Sequence, residues 1–284
     1  MVENLIEKVT GIVRHAAELM KPENVEVTQK GNASNFVTTA DINVQQFLKK
    51  ELLALLPGSV FVGEEEDGAA LSSGMDGGKN CSKTDESANT CPQYEYIWVV
   101  DPIDGTSNFI RDIGMSAISV GLLKCGKPYA GVIYQPYRNE MFWAVDGQGA
   151  YLNGERIHVS DREFKHGHLC SAMSTYNKDY APACFRIIEK VYADCDDLRR
   201  LGSAAVELAY LAAGRVELYF EIRLFPWDVA AGIVLIKEAG GYTEMIYQEG
   251  FPLDRPVALV GANTKENFER MKEIVCGEIP VLPY

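Results

Sequence analysis

The chain lacks the excess of basic residues that a nucleic-acid-binding or membrane-surface protein needs. Of its 284 residues, 27 are Lys or Arg and 40 are Asp or Glu, which gives a formal net charge of −13 at pH 7. Proteins that bind nucleic acid or anionic lipid through charge carry a basic stripe, and none is visible here. We therefore expect no nucleic-acid partner and no membrane partner. Clustered carboxylates would also repel a small anionic ligand unless cations lie between them.

Paired cysteines and paired histidines are also missing. The seven cysteines are odd in number and include no C-x-x-C pair, so the sequence predicts neither a disulfide framework nor a zinc ribbon. We expect reduced thiols, with a disulfide or a metal site at Cys81 and Cys91 as the alternative. The four histidines show no metal-ligand spacing relative to the acidic motifs described below. We interpret them as structural or exposed.

No uninterrupted apolar run reaches the roughly 18 residues that a membrane-spanning helix requires. The first twenty residues instead place apolar side chains at helical spacing, interrupted by Glu7, Lys8 and Arg14. This pattern is typical of an amphipathic helix and not of a signal peptide. We therefore expect a cytoplasmic protein.

Turn-forming residues divide the chain into helices and strands of mixed order. The predicted helices are the opening segment up to Pro22 and residues 42–56, 182–193, 203–213, 229–239 and from 265 onward. The predicted strands are residues 60–62, 97–100, 116–123, 129–134, 140–145, 168–172, 216–220 and 257–261. Asn153 and Gly154 predict a type I′ hairpin turn. This order predicts an α/β fold in which layered sheets are covered by helices.

The sharpest motif follows the predicted buried strand at residues 97–100. Asp101 lies at the end of that strand, Pro102 fixes a bend, and Asp104 returns three positions later, before Gly105. The two carboxylates should therefore lie close together. Plain turn chemistry also explains this pattern, since Asp followed by Pro is what a type I turn prefers.

Two further acidic groups stand at the ends of predicted elements. Glu64 and Glu65 follow the short strand at 60–62, and Asp228 precedes the helix at 229–239. Each has a simple structural explanation, because charge runs are usually solvated corners and Asp is a common helix N-cap. Together with Asp101 and Asp104, however, they bring acidic side chains to three separate element ends.

Carboxylates that converge in this way need cations. Two unit charges about 4 Å apart repel by roughly 4 kcal/mol at an effective dielectric constant near 20. A ligand set made only of oxygen atoms points to Mg²⁺ or Mn²⁺ and not to zinc or copper. The sequence therefore predicts a site for hard divalent cations.

These motifs resemble those of the inositol monophosphatase family. The resemblance rests on Glu64-Glu65, on the segment from Asp101 to Thr106, and on Trp227-Asp228 followed by Gly240-Gly241, and it covers nearly the whole chain. It implies one domain over residues 1–284, an α-β-α-β-α sandwich of the inositol monophosphatase and fructose-1,6-bisphosphatase type. Subdomains would span about 1–160 and 161–284. It also implies two or three Mg²⁺ ions, inhibition by lithium, and a homodimer.

The resemblance assigns roles residue by residue. One metal ion would be bound by Glu64, Asp101 and the Ile103 carbonyl, and a second by Asp101, Asp104 and Asp228. Glu65, Thr106 and Asp41 would support and orient the attacking water. The substrate contacts would be Gly105 and Thr106 for the phosphate, and Ala204 and Glu221 for the alcohol part.

The implied reaction is hydrolysis of a small cyclitol or sugar phosphate, with inositol 1-phosphate as the first expectation. Fructose 1,6-bisphosphate, histidinol phosphate and 3′-phosphoadenosine phosphates are the alternatives within the superfamily. Ser107 stands where the nucleotide-hydrolysing members usually carry Lys, which favours a cyclitol or sugar phosphate. Residues 68–94 are longer than is usual for the family, and the substrate-side hydroxyl is ambiguous among Ser171, Ser174 and Thr175.

Two other hypotheses remain open, a phosphatase of a different family and a non-catalytic regulator. A haloacid-dehalogenase-type phosphatase also has an aspartate after a buried strand, but its Asp-x-Asp pattern differs from the two-residue separation of Asp101 and Asp104. A non-catalytic regulator that binds a protein partner could keep the fold. Intact carboxylates at every motif position favour catalysis.

Overall fold

The computed structural model describes residues 2–21, 25–29, 36–67, 94–174 and 177–281. The expectations that concern Pro22, residues 30–35, the segment 68–93 with Cys81 and Cys91, and Thr175 lie outside the described residues. The first helix ends at Ala17, before the predicted end near Pro22.

Within the described residues, helices and strands alternate in the mixed order that the sequence predicts. The helices are α1 (Val2–Ala17), α2 (Thr39–Leu55), α3 (Glu64–Asp67), α4 (Thr106–Ile110), α5 (Ala181–Tyr192), α6 (Ala204–Ala212), α7 (Pro226–Glu238) and α8 (Lys265–Glu278). The strands of the first half are β1 (Val27–Gln29), β2 (Phe36–Thr38), β3 (Val60–Gly63), β4 (Tyr96–Asp104), β5 (Ala117–Lys124), β6 (Lys127–Gln135), β7 (Glu140–Val145), β8 (Gly149–Leu152) and β9 (Glu155–Ile157). Those of the second half are β10 (His168–Ser171), β11 (Asp197–Arg199), β12 (Leu218–Leu224), β13 (Tyr242–Met245) and β14 (Val257–Ala262).

The larger sheet has seven strands in simple sequence order, from β3 to β9. Its first pair, β3 and β4, is parallel and the others are antiparallel. Because β3 and β4 are parallel, their carboxyl ends lie side by side at the same end of the sheet. Asn153 and Gly154 both have positive φ, at 50° and 88°, which confirms the predicted hairpin turn between β8 and β9.

The smaller sheet has the strand order β11-β10-β12-β14-β13. Strands β10, β11 and β12 run parallel, whereas β14 is antiparallel to both of its neighbours. The predicted strand at 216–220 is displaced along the chain to β12, because pairing with β14 extends from Leu218 to Leu224. Polar Glu221 and Arg223 interrupt the apolar pattern on which the sequence prediction relied.

The helices form three layers around the two sheets. On the outer face of the seven-stranded sheet, Val13 of α1 and Leu48 of α2 pack against Trp98 and Val132. The opposite face, which includes Ile133, packs against α6 and α7, and the same cluster reaches the five-stranded sheet. Adjacent residues of β6 thus enter different cores, as the alternation of a strand requires.

The last layer lies on the far side of the five-stranded sheet. Ile187 of α5 and Met271 of α8 are buried there against Phe220 and Val260. The order helix, sheet, helix, sheet, helix confirms the predicted α-β-α-β-α architecture. The seven-stranded sheet uses residues 60–157 and the five-stranded sheet 168–262, but the division into subdomains near residue 160 stays a prediction.

One alternative explanation and one expectation are corrected. Asp228 is not a helix N-cap but the third residue of α7, because Pro226 starts the helix two positions earlier, as its fixed φ allows. Cys125 takes part in a disulfide, contrary to the expectation of reduced thiols throughout, whereas Cys170, Cys184, Cys195 and Cys276 are free. Over the described residues, no helix combines the length and apolarity needed to span a bilayer.

Candidate active site

Three aspartates from two distant parts of the chain converge at one end of the seven-stranded sheet. Asp101 and Asp104 belong to β4, and Asp228 belongs to the first turn of α7. One carboxylate oxygen from each lies within 4.8 Å of the other two. This juxtaposition is the central relationship that the sequence predicted.

The local chain geometry of β4 brings its two aspartates together. The pairing of β4 with β5 shifts register between Asp101 and Asp104, and the Ile103 amide donates to Asp101 Oδ1 at 3.0 Å. Gly105 then ends the strand in the left-handed region, with φ 86°. An added Cβ there would lie 3.0 Å from the Met115 carbonyl oxygen, so only glycine fits both the conformation and the space.

Residues at the start of α6 and α7 anchor the carboxylates of Asp104 and Asp228. Asp104 Oδ2 accepts hydrogen bonds from the Ser203 hydroxyl at 2.5 Å and from the Ala205 amide at 2.7 Å. Asp228 Oδ2 accepts one from the Phe225 amide at 2.7 Å. Each carboxylate is therefore oriented by the protein itself.

Asp41 and Thr106 form a hydrogen-bonded pair next to the three aspartates. Buried Asp41 is held by the amide and hydroxyl of Thr38 at the start of α2. The Thr106 hydroxyl lies 3.3 Å from Asp41 Oδ1 and 3.0 Å from the Ile103 carbonyl oxygen. A hydroxyl has one proton, so these two acceptors share it or compete for it.

Glu64 and Glu65 open α3 immediately after β3. Glu64 lines the same cavity as the three aspartates, whereas Glu65 is not among the described lining residues. The Glu65 amide donates to the Gln45 side-chain oxygen at 3.0 Å, which ties α3 to α2. The structure thus places Glu64 on the cavity wall and Glu65 beside it.

The carboxyl groups strongly perturb one another. Burial raises the pKa of Asp101 well above its ordinary value, and the charges of Glu64, Asp104 and Asp228 raise it further. Burial also raises the pKa of Asp104 to about 6, although the hydrogen bonds from Ser203 and Ala205 oppose the rise. Removal from water and the charge of Asp104 raise the pKa of Asp228. Such a cluster is destabilising when fully ionised, and a cation would relieve the repulsion.

The cavity that contains the cluster has a volume of about 430 Å³. Gly105, Thr106, Ala204 and Glu221 line it. Their role as substrate contacts, which the family resemblance implies, stays a prediction. Burial and the charge of Glu207 raise the pKa of Glu221 to about 8. The volume is within the range of small-molecule sites.

Comparison with known proteins agrees with this geometry. The model of the inositol monophosphatase family matches residues 2–279. The chain belongs to the inositol monophosphatase family.

The relatives of this chain include proteins under two names, Nus factor SuhB and fructose-1,6-bisphosphatase/inositol-1-monophosphatase. A protein named Nus factor SuhB from Salmonella typhimurium is 39% identical over 221 residues, covering 78% of this chain and 75% of the relative. A protein named fructose-1,6-bisphosphatase/inositol-1-monophosphatase from Aquifex aeolicus is 33% identical over 228 residues, or 80% of this chain and 77% of the relative. The crystal structure of extragenic suppressor protein SuhB from Bartonella henselae has a TM-score of 0.78 and 28% identity, covering 96% of this chain and 98% of its own.

The donor set fits the hard divalent cation that the family implies. The cluster among the described residues is made of carboxylates from Asp101, Asp104 and Asp228, without His or Cys. Oxygen ligands of this kind suit Mg²⁺ and Mn²⁺. The acidic cluster can therefore hold a metal ion. Membership in the inositol monophosphatase family also disfavours the hypothesis of a haloacid-dehalogenase-type phosphatase.

Several site residues were missed by sequence reasoning. Ser203 positions Asp104, and buried Glu207 accepts hydrogen bonds from the amides of Leu201 and Gly202. Arg200 and Arg223 also line the cavity. Ser203 was detectable as the polar first residue of the predicted helix 203–213, a residue type that favours the N-cap, but nothing in the sequence signalled that Glu207 and Arg223 would face the site.

Proposed function

We propose that the protein is a Mg²⁺-dependent phosphomonoesterase that hydrolyses a small cyclitol or sugar phosphate, with inositol 1-phosphate as the first substrate to test. The observation that carries the proposal is the convergence of Asp101, Asp104 and Asp228, whose carboxylate oxygens lie within 4.8 Å of one another. Two or three Mg²⁺ ions would be bound, and the same oxygen ligands would also suit Mn²⁺.

The proposed ligands divide between two ions. Glu64, Asp101 and the Ile103 carbonyl would hold one ion, and Asp101, Asp104 and Asp228 would hold the other. The Ile103 carbonyl already accepts a hydrogen bond from Thr106, and a carbonyl oxygen has a second lone pair for a metal. Bound divalent ions would supply water of lowered pKa and would neutralise charge on the phosphate and the departing alcohol oxygen.

The protein's own groups would orient the reactants. The Thr106 hydroxyl, whose proton is directed at Asp41 or the Ile103 carbonyl, would accept a hydrogen bond from the attacking water and so orient it, with Glu65 as a further support. Gly105 and Thr106 would hold the phosphate. Ala204 and Glu221 would contact the alcohol part. Water would attack phosphorus directly, without a phosphoenzyme.

The relative from Aquifex aeolicus supports a small phosphorylated substrate, because its name includes both fructose-1,6-bisphosphatase and inositol-1-monophosphatase. Histidinol phosphate and 3′-phosphoadenosine phosphates are the remaining alternatives within the superfamily. Inhibition by lithium, a homodimer and a cytoplasmic location are further predictions of the proposed function.

The test is phosphate release from a phosphomonoester panel with Mg²⁺, before and after chelation and with added lithium. We expect Mg²⁺-dependent release by the native chain and a loss of at least about 100-fold in Asp101→Asn, as for removal of a group that stabilises transition-state charge. Arg186→Gln is the control, because that arginine pairs with Glu278 on the surface. Undiminished activity after chelation would refute the proposed function.

A protein-binding regulator is the second candidate. It is favoured by one observation, the 39% identity to a relative named Nus factor SuhB. Equal and negligible phosphate release by the native chain and by Asp101→Asn would support the regulator. A phosphoaspartate trapped on Asp101 during turnover would instead contradict direct attack by water.

A further inference from the structure

Gln45 is a buried amide side chain that links helix α2 to the start of helix α3. Its exposed fraction is 1%, and its Oε1 accepts a hydrogen bond from the Glu65 amide at 3.0 Å. Helix α3 has only four residues, Glu64–Asp67, and the first amides of a helix have no acceptor within it. The acceptor for the Glu65 amide therefore comes from another helix.

The same face of α2 also contacts the segment that follows β4. Asp41 and Gln45 are four residues apart on α2, so their side chains lie one turn apart on one face. The Thr106 hydroxyl lies 3.3 Å from Asp41 Oδ1, while Gln45 holds the Glu65 amide. One face of α2 thus contacts both of the acidic segments that follow β3 and β4.

The chain leaves β3 directly against the Gln45 side chain. A Cβ added at Gly63, the last residue of β3, would lie 2.7 Å from Gln45 Cδ. This is closer than packed carbon atoms approach one another. Glycine at this position therefore lets the amide lie beside the chain immediately before Glu64.

The amide of Gln45 is costly where it lies. Its Oε1 is oriented by the Glu65 amide, and its Nε2 is buried with no hydrogen-bond partner among the described residues. A buried donor without a partner disfavours the folded state. Packing alone would favour an apolar side chain of similar length, such as Met. The hydrogen bond to the Glu65 amide is the contact that accounts for a glutamine here.

We propose that Gln45 is a positioning residue for the metal site, because its Oε1 fixes the first turn of α3 and thereby sets where Glu64 meets the cavity. The inference rests on the proposed function, in which Glu64 and Asp101 hold one of the metal ions. Both residues line the cavity, whereas Gln45 is not among its described lining residues. Gln45 would therefore act on the ion only through α3.

The experiment measures Mn²⁺ binding without substrate, from the electron paramagnetic resonance signal of the free ion. In Gln45→Met, the dissociation constant of at least one bound ion should rise by about tenfold or more, as for the loss of other groups that orient metal ligands. Gln45→Glu keeps an oxygen acceptor at the same chain length. It should bind Mn²⁺ within about threefold of the native chain, well short of that loss.

Two comparisons separate positioning from a general loss of structure. Gln46→Met makes the same change at the next, exposed position of α2 and should bind Mn²⁺ as the native chain does. Urea unfolding without divalent ions should give Gln45→Met a midpoint equal to or above the native one, because the variant also removes the unpartnered donor. A weaker Mn²⁺ affinity without a lower midpoint is the result expected of a positioning residue.

Native Mn²⁺ affinity in Gln45→Met, or an equal loss of affinity in Gln45→Glu, would overturn the proposal. Should Gln45→Met fail to fold, Gln45→Asn decides, because it keeps the amide but withdraws the oxygen by one methylene. Weakened binding in Gln45→Asn would then support the proposal, and native affinity would contradict it.

The binding readout also distinguishes failure of this inference from failure of the proposed function. A native chain that binds no Mn²⁺ would refute the proposed metal site and this inference together. If the native chain binds Mn²⁺ but releases no phosphate, the proposed reaction fails. Weaker binding in Gln45→Met would in that case still support the positioning role.

Discussion

The Ser203 hydroxyl donates to Asp104 Oδ2 at 2.5 Å, across 99 positions of sequence. The same hydroxyl oxygen accepts a hydrogen bond from the Val206 amide as the N-cap of α6. One side chain therefore begins a helix and fixes the orientation of a proposed metal ligand. Groups that orient metal ligands typically alter metal affinity by 10–100-fold when removed.

Ser203→Ala should raise the Mg²⁺ concentration for half-maximal activity by about 10–100-fold, because Asp104 loses an orienting donor. Loss of the N-cap should also lower the free energy of unfolding by about 1 kcal/mol. A Mg²⁺ titration of phosphate release, with urea unfolding, measures both effects. Ser203→Thr keeps the hydroxyl and is the matched control. An unchanged Mg²⁺ requirement in Ser203→Ala would contradict the positioning role.

Thr106→Val should lower kcat by about 100-fold at saturating Mg²⁺, because the variant removes the hydroxyl between Asp41 and the Ile103 carbonyl at nearly constant volume. Thr106→Ser retains the hydroxyl and should keep most of the activity. Steady-state kinetics on the best panel substrate separates kcat from KM. A Thr106→Val enzyme with kcat within twofold of the native value would exclude Thr106 from the reaction.

The burial of Glu207 predicts that the stability of the fold depends on pH. Burial raises the pKa of Glu207 to about 7, although the amides of Leu201 and Gly202 oppose the rise. Between the unfolded value near 4.5 and about 7, the folded chain retains a proton that the unfolded chain releases. The free energy of unfolding therefore falls as pH rises through this window, by roughly 3 kcal/mol from this group.

Glu207→Gln should remove that contribution while its side-chain oxygen still accepts the two amide hydrogen bonds. We expect the variant to gain stability relative to the native chain between pH 5 and pH 8, measured by urea unfolding without divalent ions. Glu269→Gln, at an exposed position on α8, controls for the loss of one negative charge. Parallel pH profiles for the native chain and Glu207→Gln would show that Glu207 does not titrate in this range.

Gly131→Ala should destabilise the fold by about 1–3 kcal/mol, because helix α7 packs directly on β6 at this point. An added Cβ would lie 2.5 Å from the Ala231 carbonyl oxygen, and backbone cannot move aside as a flexible side chain can. Thermal or urea unfolding measures the change. Gly11→Ala, on α1 with nothing within 4 Å of its new Cβ, should be neutral or slightly stabilising. Similar stabilities for the two variants would contradict the close approach of α7.

The proposed metal cluster was largely predictable because its chemistry is encoded locally. Asp101 and Asp104 are three positions apart at the end of a strongly apolar strand, so a local register shift of β4 against β5 is enough to bring them near each other. The Asn153-Gly154 hairpin was predictable for the same reason, since its two positive φ values require such residues. Element boundaries were less predictable, and β12 was misplaced because its limits depend on pairing with β14.

The layered α/β fold, the acidic motifs and their preference for hard cations could be read from the amino-acid sequence, because hydrophobic periodicity and ligand chemistry are properties of short segments. The packed fold was needed to show that Ser203 orients Asp104, that Glu207 is buried, and that Arg223 lines the acidic cavity. Burial and long-range hydrogen bonds depend on which layers meet. No local pattern of residues specifies those contacts, because they arise when α6 and β12 pack beside the end of β4.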